Sequence, residues 1–160
     1  MGLFDKFKKS ESEDLLFKNY TGNHEKFETQ KKLEEINIDH EIAEDWYNQG
    51  VNMGSLEKHA EEIMCYQRAL EINPDHAKAW NNLAVALGKF GKHDEEVVCY
   101  AEALKINPED AETWYNLGVT LMESDKLYES IECFRKALKI DKNFEHAAVA
   151  MEIALNQIEE

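Results

Sequence analysis

The chain has 160 residues, of which 43% are hydrophobic and 32% charged, so we expect a packed core rather than global disorder. Asp and Glu outnumber Lys and Arg by 33 to 18, and the net charge of −15 opposes a nucleic-acid partner because phosphates would be repelled. No apolar run approaches the roughly 20 residues of a membrane span, and the basic start lacks the apolar core of a secretory signal.

The first segment in the chain is basic and partly apolar. Its apolar and basic residues are Leu3, Phe4, Phe7, Lys6, Lys8 and Lys9. On a helix the apolar residues share one face, which is typical of a short interfacial membrane anchor, although Asp5 interrupts it. Docking on a partner and folding back into the protein's own groove are the alternatives. We expect residues 1–12 to be a flexible N-terminus, as chain termini usually are.

Residues 13–42 are predicted to be helical, with helices over Asp14–Asn19 and His24–Ile36. The second of these faintly resembles the second helix of the repeats that follow, so we interpret 13–42 as a degenerate half-repeat packed on the first repeat. The residues available for a buried face are Leu15, Leu16, Phe17, Phe27, Leu33, Ile36 and Ile38.

A repeat with a period of 34 residues begins at residue 43. The three blocks are 43–76, 77–110 and 111–144. Four of the columns that hold the same residue in every block are Trp46/Trp80/Trp114, Asn48/Asn82/Asn116, Val51/Val85/Val119 and Cys65/Cys99/Cys133. An aromatic column consists of Tyr66, Tyr100 and Phe134. Internal repetition at such a period is typical of a solenoid.

Each block is predicted to contain two amphipathic helices. In the third block the first stripe consists of Trp114, Leu117, Gly118 and Leu121, and the second of Ile131, Phe134, Ala137 and Leu138. Both have helical spacing, and the polar residues 123–126 separate them. Pro74 and Pro108 cannot extend the preceding helix, so each block reads as helix, turn, helix and stop.

The Trp-x-x-Leu-Gly pattern, the aromatic, the Ala and the Pro at this period resemble the tetratricopeptide repeat family over residues 43–144. The resemblance implies an all-α solenoid, in which antiparallel helix pairs stack into a right-handed superhelix. Residues 145–160 resemble the capping helix that closes such arrays. Its predicted apolar stripe is Ala147, Ala148, Met151, Ala154, Leu155 and Ile158, with an acidic opposite face.

One column departs from the family pattern. The family usually has a small residue where the two helices of a pair approach, whereas this chain has Glu62, Glu96 and Ser130. A buried unpaired carboxylate is too costly. We therefore expect the Glu heads to lean into solvent or the pairs to open slightly.

No catalytic constellation is present in the sequence. It lacks a Gly-rich phosphate loop, a Gly-x-Ser-x-Gly motif and a paired-His zinc motif. Packed helices keep their axes about 8–10 Å apart, too far for the Cys column to form disulfides or a metal site, so we expect these Cys to pack as small apolar side chains. We expect no enzyme activity, cofactor or metal, and a cytoplasmic protein with free thiols.

The resemblance places a peptide-binding groove along the first helices. The predicted groove residues are Tyr47, Asn48, Val51, Lys78, Asn81, Asn82, Val85, Lys89, Tyr115, Asn116, Val119 and Met122. An Asn ladder offers donors and acceptors to a peptide backbone, unless each amide bonds locally to its own helix. The Val column and the Tyr residues add apolar anchors. Gly54 and Gly88 either leave room for a ligand side chain or loosen the helix ends.

Chaperone-binding members of the family hold a C-terminal carboxylate with a clamp of cations and amides. Only Asn82 matches that clamp here, and Tyr47, Val51, Glu112 and Asn116 occupy its other positions. We therefore expect no C-terminal acid capture.

The predicted function is that of a non-catalytic protein–protein interaction scaffold, which binds an extended or helical segment of a partner protein in the groove. The alternative is a peripheral membrane-recruited assembly factor that uses the amphipathic N-terminus.

Overall fold

The computed structural model describes residues 11–159, with side chains from residue 25 onward except that of Phe27. This part of the chain contains seven α-helices and no strand. The helices are α1 (Glu11–Ser55), α2 (His59–Ile72), α3 (Ala77–Gly88), α4 (His93–Ile106), α5 (Ala111–Glu123), α6 (Leu127–Ile140) and α7 (Glu145–Glu159). The all-α prediction is confirmed.

The first helix, α1, is continuous over 45 residues. It runs through residues 20–23 and 37–42, where the sequence predicted breaks between shorter helices. The chain divides into two units, the first ending at Asp39 and the second beginning at His40. The predicted flexible N-terminus covers residues 1–12. Residues 1–10, which include its amphipathic pattern, lie outside the described residues, and residues 11 and 12 are helical.

The described side chains of the first unit are exposed. Leu33, Ile36 and Ile38 expose 57%, 64% and 53% of their surface. At 3.6 residues per turn, Leu33 and Ile38 lie about 140° apart around the helix, which prevents a single apolar stripe. The other residues assigned to that face have side chains outside the described set, and the half-repeat stays a prediction.

In the second unit each helix packs against the next in chain order, from α2 on α3 to α6 on α7. The two helices of a repeat approach closely where the aromatic column meets a small residue. A Cβ added to Gly50 would lie 2.5 Å from Cε1 of Tyr66, and one added to Gly118 would lie 2.5 Å from Cε1 of Phe134. The aromatic ring therefore fills the space that a side chain would need.

The turn inside each repeat has the same backbone conformation. Glu57, Gly91 and Asp125 occupy equivalent positions, with φ of 58°, 69° and 60°. The next residue donates its N–H five residues back, as in Lys92 N to Leu87 O at 3.2 Å. This is the Schellman ending of a helix, for which a left-handed residue is required. Only the middle repeat supplies glycine at that position.

In the second and third repeats, the Trp of the first helix is hydrogen-bonded to the turn before that helix. The indole Nε1 of Trp80 donates to the carbonyl of Pro74, and that of Trp114 to the carbonyl of Pro108, both at 2.8 Å. The Asn-Pro turn leaves this carbonyl outside the helices, so the indole satisfies it. In these two repeats, the Trp and Pro residues therefore act together to fix the start of the first helix.

The Cys column lies in the core. Cys65, Cys99 and Cys133 are buried and unpaired. Burial raises the pKa of the Cys99 and Cys133 thiols to about 11 and also raises that of Cys65. These are the properties of packed thiols that rarely ionise near neutral pH.

Candidate functional site

The groove is defined here as the surface between the first helices of successive repeats, followed by α7. Three pockets lie along it. One of about 290 Å³ lies between α3 and α5, and two of about 430 and 500 Å³ lie between α5 and α7. Of these three pockets, the two larger ones therefore lie toward the C-terminal end of the second unit.

Tyr115 lines all three pockets. Its ring centroid lies 5.1 Å from that of Phe144 and 6.0 Å from that of Phe134. Asp110 caps the start of α5, where its Oδ1 accepts the backbone N–H of Glu112 and Thr113 at 3.1 and 3.4 Å. The cap fixes the first turn of α5 and so positions Tyr115, which is half-buried.

Four of the predicted groove residues meet at one pocket, namely Val85, Tyr115, Asn116 and Val119. Tyr115, Val119 and Met122 also line the neighbouring 430 Å³ pocket. The remaining predicted residues do not line these three pockets: Tyr47, Asn48, Val51, Lys78, Asn81, Asn82 and Lys89. The structure thus brings together the α5 residues and their neighbour on α3.

The Asn column is not uniform. Nδ2 of Asn82 approaches the hydroxyl oxygens of Tyr47 and Tyr66 at 3.4 and 3.5 Å, the long limit for hydrogen bonds. Asn48 is exposed and Asn116 faces two pockets. Asn81, beside the column, accepts a hydrogen bond from Oγ1 of Thr113 at 3.0 Å and therefore joins α3 to α5.

The Val column continues into α7. Ile153 follows Val119 by one period of 34 residues, and it lines the same pocket. Val51, Val85 and Ile153 expose 45%, 37% and 45% of their surface. Val85, Val119 and Ile153 thus line pockets of the groove, and Val51, at the equivalent position of α1, is exposed.

The face of α7 that borders the groove carries the apolar Val149 and Ile153 beside Glu145 and His146, so it is less polar than predicted. Val149 and Ile153 are exposed there, with Val149 at 56%. Ala148 and Leu155, assigned to the buried stripe, are exposed, whereas Ala150 is buried. When the 34-residue period is continued, α7 aligns with the first helices of the repeats. Ile153 then corresponds to Val119, and Val149 corresponds to Tyr115.

The Glu column is buried, and the prediction that its heads lean into solvent is wrong. Glu62 and Glu96 expose only 5% and 7% of their surface. Oε2 of Glu62 lies 2.9 Å from Nδ1 of His59, and Oε2 of Glu96 lies 3.0 Å from Nδ1 of His93. The i, i+3 spacing on one helix provides each carboxylate with a partner and so lowers the cost of burial.

The carboxylate of Glu96 also joins two repeats. Oγ1 of Thr120, on α5, donates to Oε1 of Glu96 at 2.8 Å. Glu96 also receives a hydrogen bond from Tyr100. Gly88 makes space for this carboxylate, and Gly54 does so for that of Glu62, since an added Cβ would lie 2.7 or 2.6 Å from the respective Oε1. The glycines thus accommodate internal Glu side chains rather than a ligand.

Charge is distributed unevenly along the groove. Lys78 is exposed on α3, and Nζ of Lys89 lies 3.8 Å from Oε2 of Glu62. The pockets between α5 and α7 are bordered by carboxylates, and the described residues that line them include no Lys or Arg. Met122 provides apolar surface in the same place.

A further pocket lies on the other side of the second unit. It has about 740 Å³ and lies between α2, α3 and α4, where Trp80, Leu83 and Val98 line it. Glu71 and Glu95 at its border form ion pairs with Arg68 and Lys92. None of the predicted groove residues lines this pocket.

The described part of the chain contains neither a membrane-spanning helix nor a metal-binding cluster. No helix there has the length and apolar character needed to cross a membrane. Within the same residues, no group of three or more His, Cys, Asp or Glu side chains is arranged to hold a metal ion.

Many solved structures have a similar fold, among them the three that follow. The first TPR of Spaghetti (RPAP3) bound to HSP90 peptide SRMEEVD has a TM-score of 0.73 at 18% identity, covering 75% of this chain and 95% of that one. The Arabidopsis OM64 TPR domain gives 0.71 at 18%, covering 74% and 98%. The Sgt2 TPR domain from Aspergillus fumigatus gives 0.68 at 20%, covering 74% and 80%. The predicted all-α tetratricopeptide-type solenoid is confirmed.

The sequence comparisons agree with the fold. No curated protein matches the chain. Models of the tetratricopeptide repeat match residues 43–76, 65–97 and 111–144, and a TPR repeat model matches 89–125. Together these matches run without a gap from residue 43 to residue 144, well over half of the sequence. The chain belongs to the tetratricopeptide repeat family.

Proposed function

We propose that this chain is a non-catalytic protein–protein interaction scaffold, which binds a peptide segment of a partner protein in the groove. The observation that carries the proposal is the aliphatic column of Val51, Val85, Val119 and Ile153. Three of these side chains expose more than a third of their surface to water. Exposed apolar surface is unfavourable, and the fold itself does not cover it. A row of exposed aliphatic side chains in a groove is suited to a partner's apolar side chains.

The surroundings of this column also suit a peptide. The half-buried ring of Tyr115 adds an aromatic anchor, and Asn116 places an amide beside it for a peptide backbone. A structurally similar domain has been solved with an HSP90 peptide, SRMEEVD, bound to it. The present groove has Glu112 and Asn116 where a carboxylate clamp needs its partners, so we propose a different peptide chemistry for this chain.

The test is affinity capture from native lysate with two matched double variants. Val85→Asp/Ile153→Asp places two charges in the groove, and Met64→Asp/Val98→Asp places two charges at sites exposed by 50% and 58% on the second helices. Helicity is checked for both. We expect the groove variant to lose partners that the wild type and the control retain. If only the control variant loses the partners, the binding surface lies on the second helices and the proposal is overturned.

The Asn ladder is tested separately with Asn48→Ala/Asn82→Ala/Asn116→Ala. We expect the affinity for the captured partner to fall, because three amides would no longer pair with its backbone. Unchanged affinity would show that the column is structural and that the aliphatic column alone holds the partner.

A further inference from the structure

The two pockets between α5 and α7 differ in chemistry but adjoin each other. Tyr115 and His146 line both. The 500 Å³ pocket, called here the acidic pocket, is bordered by Asp110, Glu112 and Asp141. The 430 Å³ pocket, called here the aliphatic pocket, contains Val119, Met122, Val149 and Ile153. A ligand that lies across both therefore meets negative charge beside apolar surface.

The carboxylates of the acidic pocket are not neutralised within the fold. Among the described residues, no Lys or Arg forms an ion pair with Asp110, Glu112 or Asp141. Asp110 accepts backbone N–H groups at the start of α5, and Asp141 accepts that of Asn143 in the turn between α6 and α7 at 2.9 Å. Glu112 is exposed and has no such role. The negative charge of the pocket is thus not balanced by any Lys or Arg side chain that the structure describes.

Aromatic rings line the same pocket. The centroids of Tyr115 and Phe144 lie 5.1 Å apart, and His146 lies 6.3 Å from Tyr115 and 6.2 Å from Phe144. The faces of the Tyr115 and Phe144 rings attract cations. The chain shows the same contact elsewhere, where Nζ of Lys136 lies 3.9 Å from the ring centroid of Trp114. Rings and carboxylates together favour a long cationic side chain with an aliphatic stem.

The helix starts near the acidic pocket do not favour an anion instead. The positive end of a helix dipole attracts negative charge, but Asp110 already caps α5. The carboxylates that surround the pocket would repel an acidic peptide. Charge complementarity therefore favours a cationic occupant over an anionic one.

We propose that the α5–α7 end of the groove recognises a Lys or Arg next to an apolar residue in the partner segment, the cation in the acidic pocket and the apolar side chain in the aliphatic pocket. This rests on the proposed function and specifies the chemistry of the partner. The segment is thus basic and apolar, complementary to the acidic chain.

The probe is a phage-displayed library of random dodecapeptides, selected against the full chain. The wild type is compared with Glu112→Lys and with Glu129→Lys, which makes the same charge change on α6 outside both pockets. We expect the wild type and Glu129→Lys to enrich peptides with Lys or Arg beside an aliphatic or aromatic residue. The enriched peptide should bind Glu112→Lys at least tenfold more weakly, and Ile153→Asp should also weaken it.

The possible failures are distinguishable. Enrichment of acidic or uncharged peptides that Ile153→Asp weakens would overturn this inference and leave groove binding intact. Equal affinity for the wild type and Glu112→Lys would also overturn it. Absence of any enriched peptide would remove the proposed function and this inference together.

Discussion

The carboxylate of Glu96 occupies the space that a side chain on Gly88 would need. A Cβ at position 88 would lie 2.7 Å from Oε1 of Glu96, which His93 and Thr120 hold in place. The first repeat has the same arrangement in Gly54 and Glu62, whereas the third has Met122 and Ser130 at the equivalent positions. The two positions are therefore a structural pair that determines how closely the helices of a repeat pack.

Gly88→Ala should destabilise the protein by about 1–3 kcal/mol, even though alanine favours a helix, because the added methyl displaces a buried, hydrogen-bonded carboxylate. The measurement is urea unfolding of the wild type and variant. In the Glu96→Ser background, which imitates the third repeat, the same change should cost at least about 1 kcal/mol less. Equal costs in both backgrounds would contradict the pairing of the two positions.

Replacing the two non-glycine residues in the left-handed turn positions by glycine should stabilise the protein. Glu57 and Asp125 have φ of 58° and 60°, and a left-handed conformation strains residues with a side chain. Glu57→Gly and Asp125→Gly should each raise the free energy of unfolding by about 0.5–1 kcal/mol, after the flexibility that glycine adds to the unfolded chain is subtracted. The control is Ser124→Gly in the same turn, since φ is −91° there and the Ser124 hydroxyl donates to the carbonyl of Thr120, so glycine should only destabilise. A loss of stability in the first two variants would contradict this account.

Stability should fall at alkaline pH because two tyrosines are buried, in addition to the three buried thiols. Burial raises the pKa of Tyr66 from 10.0 to about 12, and burial together with the charge of Glu96 raises that of Tyr100 further. The folded state thus favours the protonated phenol. Its stabilising contribution is complete below pH 10 and is lost as the pH rises toward 12, by about 3 kcal/mol for Tyr66.

The variants that isolate this effect use the third repeat as a guide, because Phe134 occupies the same column. Tyr66→Phe/Tyr100→Phe should show a smaller loss of stability between pH 9 and pH 11 than the wild type. Tyr128→Phe is the matched control, since Tyr128 is 72% exposed, and it should follow the wild type. Identical pH profiles for all three proteins would show that the buried phenols are not responsible.

The sequence predicts the helix pairs well because the 34-residue period fixes which residues recur. Cys99 and Phe134 are buried as their columns indicate, and the Pro turns end the helices where expected. The period also extends into α7, so Ile153 follows from Val119. This continuity was missed because the acidic residues of α7 suggested an acidic face. Charged residues on one side of a helix do not determine which residues lie on the other side.

The interior arrangement of Glu62 and Glu96 was not predictable from the cost of burying a charge alone. That cost falls when a partner is present, and the partners, His59 and His93, lie three residues earlier on the same helices. The spacing is visible in the sequence. The space in which the carboxylate lies is not, since it depends on Gly54 and Gly88 on the facing helix.

Site-specific photo-crosslinking tests the central claim most directly, since it reports where a partner touches the chain. A photo-crosslinking phenylalanine derivative replaces either Val85, in the groove, or Val98, on α4 outside it. These valines are 37% and 58% exposed, so any preference for position 85 does not come from greater exposure. We predict protein adducts from position 85 in native lysate, lost in the Ile153→Asp background, and none from position 98. Adducts from position 98 alone would contradict binding in the groove.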